Sequence, residues 1–230
     1  MTSSRWHAHG NVYLVSEDAD LTPERVREQA QGTDGIVQVV RAGDDVLEIV
    51  IWNTDGSTAE MSGNGTRIAG AWLMARSGAT DVRVVVGPRT VAVRTAGDGL
   101  YESELGAVRV GAHETVDGIE LTTVDVGNPH AVVVGDPDDV TQLGPLLETH
   151  PRFPGRTNVQ VARIDGPGEV TARVWERGVG ETSASGSSAV AVAAATHADG
   201  DVLVHFPGGD LRVRLQDGEA WLTGPAEPVT

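Results

Sequence analysis

Two short segments of this chain carry residue types from which acid–base chemistry could be built: Ser62-Gly63-Asn64-Gly65 and Ser185-Gly186-Ser187-Ser188. Each is a glycine turn that opens a run of small residues, Gly63 to Ala75 and Gly186 to His197, and both runs read as helices. A helix start presents unsatisfied backbone N–H groups and the positive end of the helix dipole, which suits a carboxylate or a phosphate. If the two starts converge on one cleft, with Ser62 and Ser185 at its opposite walls, a proton can leave one face of a carbon and return on the other. Standing alone, the same two turns would cap helices and do nothing more.

The elements that must position these turns are mostly short apolar runs bounded by Gly, Asp or Pro. Val12–Val15, Ile36–Val40, Val46–Trp52, Val82–Val86, Val91–Arg94, Val124–Val126, Ala131–Val134, Val170–Trp175, Val202–Phe206, Leu211–Leu215 and Ala220–Leu222 read as strands. Thr22-Pro23 opens a helix to about Ala30, and Asp138 to Glu148 reads as another. The alanine-rich run Ala189–Ala195 reads as a buried helix. The two serine turns lie 123 residues apart, and the pairs Gly10-Asn11 and Gly127-Asn128 lie 117 apart. Offsets that agree this well predict a duplicated unit of about 120 residues. The chain is therefore expected to be α+β, with halves 1–112 and 113–230 joined within Gly106–Gly118 and the last strand free to pack back on the first half.

Composition narrows the chemistry. In 230 residues there are 33 acidic and 17 basic side chains, a net charge of −16, and every basic residue is Arg. Without Lys there is no Schiff base to pyridoxal phosphate and no phosphate loop of the GxxxxGK type. Without Cys there are no disulfides, thiolate ligands or thiolate catalysts. The acidic balance excludes nucleic acid as a partner and favours small molecules. No apolar run suggests a leader or a membrane span, so a cytoplasmic protein is expected, with a homodimer as an allowed assembly. His7 and His9 form an HxH pair without an obvious third ligand, so no metal is expected. Gly178-Val-Gly-Glu lacks the third glycine of a dinucleotide fingerprint, and neither serine lies in the GxSxG elbow that a hydrolase built on Ser185, His130 and Glu176 would need.

Five segments in order, Asn53–Arg67, Gly127–Ala131, His150–Val159, Val174–Thr182 and Leu222–Ala226, closely resemble the diaminopimelate epimerase family over nearly the whole chain. The resemblance implies a cofactor-independent enzyme with two pseudo-symmetric domains, each a mostly antiparallel sheet wrapped around a central helix. By similarity, Asn53, Asn158 and Arg177 would grip the distal amino acid centre of the substrate, with the Arg177 guanidinium taking its carboxylate. Asn11 and Asn128 would line the cleft. Backbone amides of Gly63-Asn64 and Gly186-Ser187 would hold the reacting carboxylate, and Glu176 and His130 would flank the catalytic pair.

The departure falls at the centre of the chemistry. The family carries cysteines where this chain has Ser62 and Ser185, one acting as base and the other as acid. A thiol titrates near 8.5 and a hydroxyl several units higher, so a gap of about five units makes the alkoxide roughly 7 kcal/mol more costly. Three readings stay open: an epimerase whose cysteines have been exchanged for serine, an isomerase or lyase of the same fold using Ser, His130 or Glu176 on a related metabolite, and a binding protein without turnover. Smaller departures are the opening His7-Ala-His-Gly-Asn-Val and a chain shorter than is usual for the family.

Overall fold

The computed structural model describes residues 3–59 and 62–229; Glu60 and Met61, inside the first of the five segments, lie outside it. The chain folds as two compact units, residues 1–104 with 223–230, and residues 105–222.

In the first unit the strand Ser3–Ala8 pairs antiparallel with Asn11–Ser16, which runs parallel to Gly35–Ala42. The parallel crossover passes through helix α1 (Pro23–Gln29), whose cap Thr22 accepts the Arg25 N–H at 3.4 Å and whose first helical residue is Pro23. Gly35–Ala42 then pairs antiparallel with Val46–Trp52, and that strand runs parallel to Asp81–Val86 across helix α2 (Gly63–Ser77). Asp81–Val86 returns antiparallel to Arg89–Gly97.

The second unit repeats this order of pairings. Ile119–Asp125 pairs antiparallel with Pro129–Val134, which runs parallel to Asn158–Gly166 across helix α3 (Val140–Glu148). Asn158–Gly166 pairs antiparallel with Glu169–Glu176, and that strand runs parallel to Gly200–Phe206 across helix α4 (Gly186–Thr196). Gly200–Phe206 returns antiparallel to Gly209–Gln216. Even the short strands before the serine turns correspond: Thr58–Ala59 pairs with Val46–Trp52, and Gly180–Thr182 with Glu169–Glu176.

Each unit buries one helix among its strands. α2 and α4 each touch all six strands of their own series. A helix covered on all sides must either be apolar or find partners for its polar groups, and small residues let the strands approach it closely. Ile68, Ala69 and Ala71 of α2 and every residue from Ala189 to Ala193 of α4 have no exposed surface. Each fully buried Ile or Leu of this kind contributes about 1.5–3 kcal/mol. α2 ends at Gly78, which takes the left-handed conformation (φ 79°) that closes a helix cheaply.

The structure corrects two boundaries. The segment Gly106–Gly118, read as the joining region, contains the strand Arg109–Val116, paired with Ile119–Asp125. All of its residues but Glu114 and Val116 are exposed, Val110 and Ala112 among them, so it carries little apolar pattern, and a division at 112/113 would cut it. The Asp138–Glu148 helix begins as a 3₁₀ turn over Pro137–Asp139 before α3 proper. Among the described residues no helix is long and apolar enough to cross a membrane.

Gly70 measures how close the packing around α2 is. A Cβ there would lie 2.7 Å from Val93 Cβ and Cγ1. Alanine is about 1 kcal/mol better than glycine in a helix, but overpacking costs about 1–3 kcal/mol. Gly70→Ala is expected to lower stability by about 1 kcal/mol in urea unfolding; a gain in stability would show that the space around α2 can relax.

Candidate active site

In the first unit Ser62 precedes α2 in extended backbone (φ −140°), and its Oγ accepts the Gly65 N–H at 3.1 Å. The same Oγ lies 3.0 Å from the phenol oxygen of Tyr13. Tyr13 is buried on the strand paired with Gly35. A Cβ at residue 35 would come within 2.8 Å of the Tyr13 ring and 2.5 Å of the Trp52 carbonyl, so only glycine lets the ring lie there.

Asn64, in the first turn of α2, has its Nδ2 3.5 Å from Asn11 Oδ1, and its Oδ1 accepts from Arg67 at 2.7 Å. Arg67 is wholly buried, and its Nε donates to the Pro225 carbonyl at 3.1 Å. Burial pushes its pKa down to about 10, so it stays charged at neutral pH. Asn53 turns to its own loop, donating to Ser57 Oγ at 2.9 Å from an exposed position.

In the second unit Ser185 occupies the equivalent place (φ −146°) and is buried, but its side chain makes no capping bond. Gly186 is buried behind it and Ser187 half-buried. One turn on, Ser188 Oγ accepts from Gln160 Nε2 at 3.0 Å, and the same amide lies 3.0 Å from His130 Nδ1. His130 Nε2 is 2.9 Å from Asn128 Oδ1. With these amide orientations Nε2 carries the proton and Nδ1 accepts, which is the neutral imidazole. Burial pushes the His130 pKa down to about 4. Both ring nitrogens are engaged by amides, so His130 holds Asn128 and is not poised on a serine as a hydrolase would require.

The remaining predicted residues gather around one turn. Asn158 Nδ2 donates to the Pro129 carbonyl at 2.9 Å, and its Oδ1 accepts the Arg177 N–H at 3.0 Å. It therefore ties the start of the His130 strand to the Arg177 turn. The Arg177 guanidinium is exposed and donates to the Gly155 carbonyl at 3.2 Å. Glu176 Oε1 accepts the Thr182 hydroxyl at 2.6 Å. His7, of the HxH pair, stands 3.7 Å from Glu227.

Four side chains that sequence reasoning passed over hold these groups: Tyr13, Arg67, Gln160 and Glu148. Glu148 is buried at the end of α3, where it accepts the Trp175 indole N–H at 2.8 Å and the Gly178 N–H at 2.7 Å and pairs with Arg156. Burial works to raise its pKa; the Trp175, Gly178 and Arg156 contacts outweigh that and hold it below the usual carboxylate range. A signal was available, because a carboxylate at a helix C-terminus opposes the dipole and needs another use. Gln160 carried one too, as a polar residue inside the apolar run Val159–Val161.

Comparison with known proteins bears on this arrangement. The family model described as diaminopimelate epimerase matches residues 122–229. The diaminopimelate epimerase of Methanothermobacter thermautotrophicus is 33% identical over 273 aligned positions, covering 98% of this chain and 96% of that protein. That of Desulforudis audaxviator is 35% identical over 272, covering 100% and 97%. In fold, the chain is similar to a phenazine biosynthesis protein of the PhzF family from Bacillus anthracis, with a TM-score of 0.77, 12% identity, and coverage of 99% of this chain and 96% of that one.

The buried His130 makes stability depend on pH with a defined sign. Its folded pKa of about 4 lies below the unfolded value near 6.5, so between those values the unfolded chain binds a proton that the folded chain refuses. The contribution is neutral above about pH 6.5 and destabilising as pH falls toward 4. Wild type should lose about 2 kcal/mol more than His130→Gln between pH 7 and pH 4.5 in urea unfolding; equal losses would mean that His130 takes up its proton in the folded state.

Proposed function

Because the chain belongs to the diaminopimelate epimerase family, we propose that it binds an amino acid of the diaminopimelate kind and inverts one α-carbon by two-base proton transfer. Ser62 and Ser185 stand at the acid and base positions in this reading. Amides of Gly63-Asn64 and Gly186-Ser187 receive the reacting carboxylate, where negative charge develops as the proton leaves. Asn11 and Asn128 add polar contacts, Glu176 and His130 flank the pair, and Asn53, Asn158 and Arg177 take the distal amino acid centre. No cofactor or metal enters the reading.

The observation that carries it is the fixed Arg177 turn. Asn158 takes the Arg177 N–H, and the buried Glu148 takes the N–H of the next residue, Gly178. The turn is thus set before any ligand arrives, while among the described residues the guanidinium itself donates only to a carbonyl at 3.2 Å, which a carboxylate would readily replace.

The serines favour a second feature of the same reading, namely slow chemistry on a fully equipped binding site. An alkoxide penalty of roughly 7 kcal/mol corresponds to about five orders of magnitude in rate.

Two measurements check the proposal. In calorimetric titration with meso-diaminopimelate, Arg177→Ala should weaken binding by about tenfold or more, the worth of hydrogen bonds to a charged group; unchanged affinity would remove the distal-carboxylate contact. Glu148→Gln sets an amide donor against the Trp175 or Gly178 N–H and leaves Arg156 unpaired. It should cost about 2–4 kcal/mol of stability and weaken the same ligand. A variant as stable as wild type would mean that Glu148 does not hold the turn.

A further inference from the structure

We propose that Tyr13 is the proton relay partner of Ser62, so that the first-half position works as a serine–tyrosine pair in place of a thiol. The inference rests on the reading above that Ser62 occupies an acid–base position.

Ser62 alone is poorly suited to either role. One of its lone pairs is taken by the Gly65 N–H at 3.1 Å, and an isolated alkoxide is several pK units too costly. Tyr13 changes this, because its hydroxyl is 3.0 Å from Ser62 Oγ and a phenol titrates near 10, far closer to a thiol than an aliphatic hydroxyl is. When Ser62 acts as acid, its proton passes to the substrate carbanion, forming the C–H bond, while the Tyr13 proton moves to Ser62 Oγ. Ser62 is a neutral hydroxyl again, and the charge rests on the Tyr13 phenolate. In the reverse direction the phenolate takes the Ser62 proton as Ser62 takes the α-proton. No other reactant is needed.

The position of Tyr13 is rigid enough for this task. The side chain is 8% exposed, lies on a strand paired with both neighbours, and rests over Gly35, where any other residue would push the ring away. A core tyrosine with no role beyond packing would be served equally by phenylalanine. Here the hydroxyl lands on Ser62 Oγ, an oxygen whose acid–base chemistry needs assistance.

Tyr13 acts through Ser62 and is therefore a positioning residue, tested by separating steps. Ser185→Cys supplies a thiolate base while leaving acid duty to Ser62, and it is compared with Ser185→Cys/Tyr13→Phe. Diaminopimelate inversion and α-proton exchange in deuterated water are measured together, with binding read by calorimetry. The expected result is a fall of tenfold or more in the inversion-to-exchange ratio and in kcat when the phenol is removed, with KM changed less than twofold. An unchanged ratio, or a loss confined to KM, overturns the relay while leaving the functional reading intact. If Ser185→Cys binds no diaminopimelate, both fall. Should Tyr13→Phe unfold the chain, 3-fluorotyrosine labelling serves instead, since there are only two tyrosines and Tyr101→Phe leaves Tyr13 as the sole labelled site. A shift in the pH profile of inversion with the more acidic phenol supports the relay, and an unshifted profile overturns it.

Discussion

The burial of a helix inside each set of strands is the interaction on which the candidate site depends. α2 and α4 touch every strand of their series, so their interior N–H groups are consumed by the helix, and small residues such as Gly70 and Ala71 of α2 and Ala189, Ala191 and Ala193 of α4 let the strands come close. The first turn is the part of such a helix whose amides have no intrahelical partner. Ser62 and Ser185 stand at those starts, the serine at each being the residue whose backbone turns the chain from strand direction into the helix. Helix starts of the kind that suit an anion are thus a by-product of a packing solution used twice along the chain.

A second layer of buried polar groups sets the directions of the residues near those starts. Arg67 fixes Asn64, Gln160 holds His130 and Ser188, His130 holds Asn128, and Glu148 holds the Gly178 amide. The Arg67–Asn64, Gln160–His130 and Gln160–Ser188 bonds are buried, where an unmade one would cost about 1–3 kcal/mol, which is why these residues can dictate geometry. The two helix starts differ in one respect. Ser62 spends its oxygen on the helix cap and meets Tyr13, whereas the Ser185 side chain caps nothing.

Much of this was legible in the residues. The small-residue helices, the Thr22 cap and the repeat of the serine turns all follow from local rules, and the structure repeats one order of strand pairings in both units. The strand Arg109–Val116 was not legible, because an exposed strand held by a neighbour carries no apolar alternation. Nor were the partners of His130 and Gly178: Gln160 lies 30 residues from His130, and Glu148 meets Gly178 across another 30, distances at which only the fold decides contact. Tyr13 lies in the run Val12–Val15, which reads as a strand, and nothing local reveals that its hydroxyl reaches Ser62.

The chain belongs to the diaminopimelate epimerase family, and the function proposed for it has proton transfer slowed by the hydroxyls of Ser62 and Ser185. The direct measurement is α-proton exchange and inversion of LL-diaminopimelate in deuterated water, comparing the chain with its Ser62→Cys/Ser185→Cys form. The double substitution is predicted to raise both rates by several orders of magnitude with little change in affinity. A doubly substituted protein that binds diaminopimelate yet exchanges no faster than the original would contradict it.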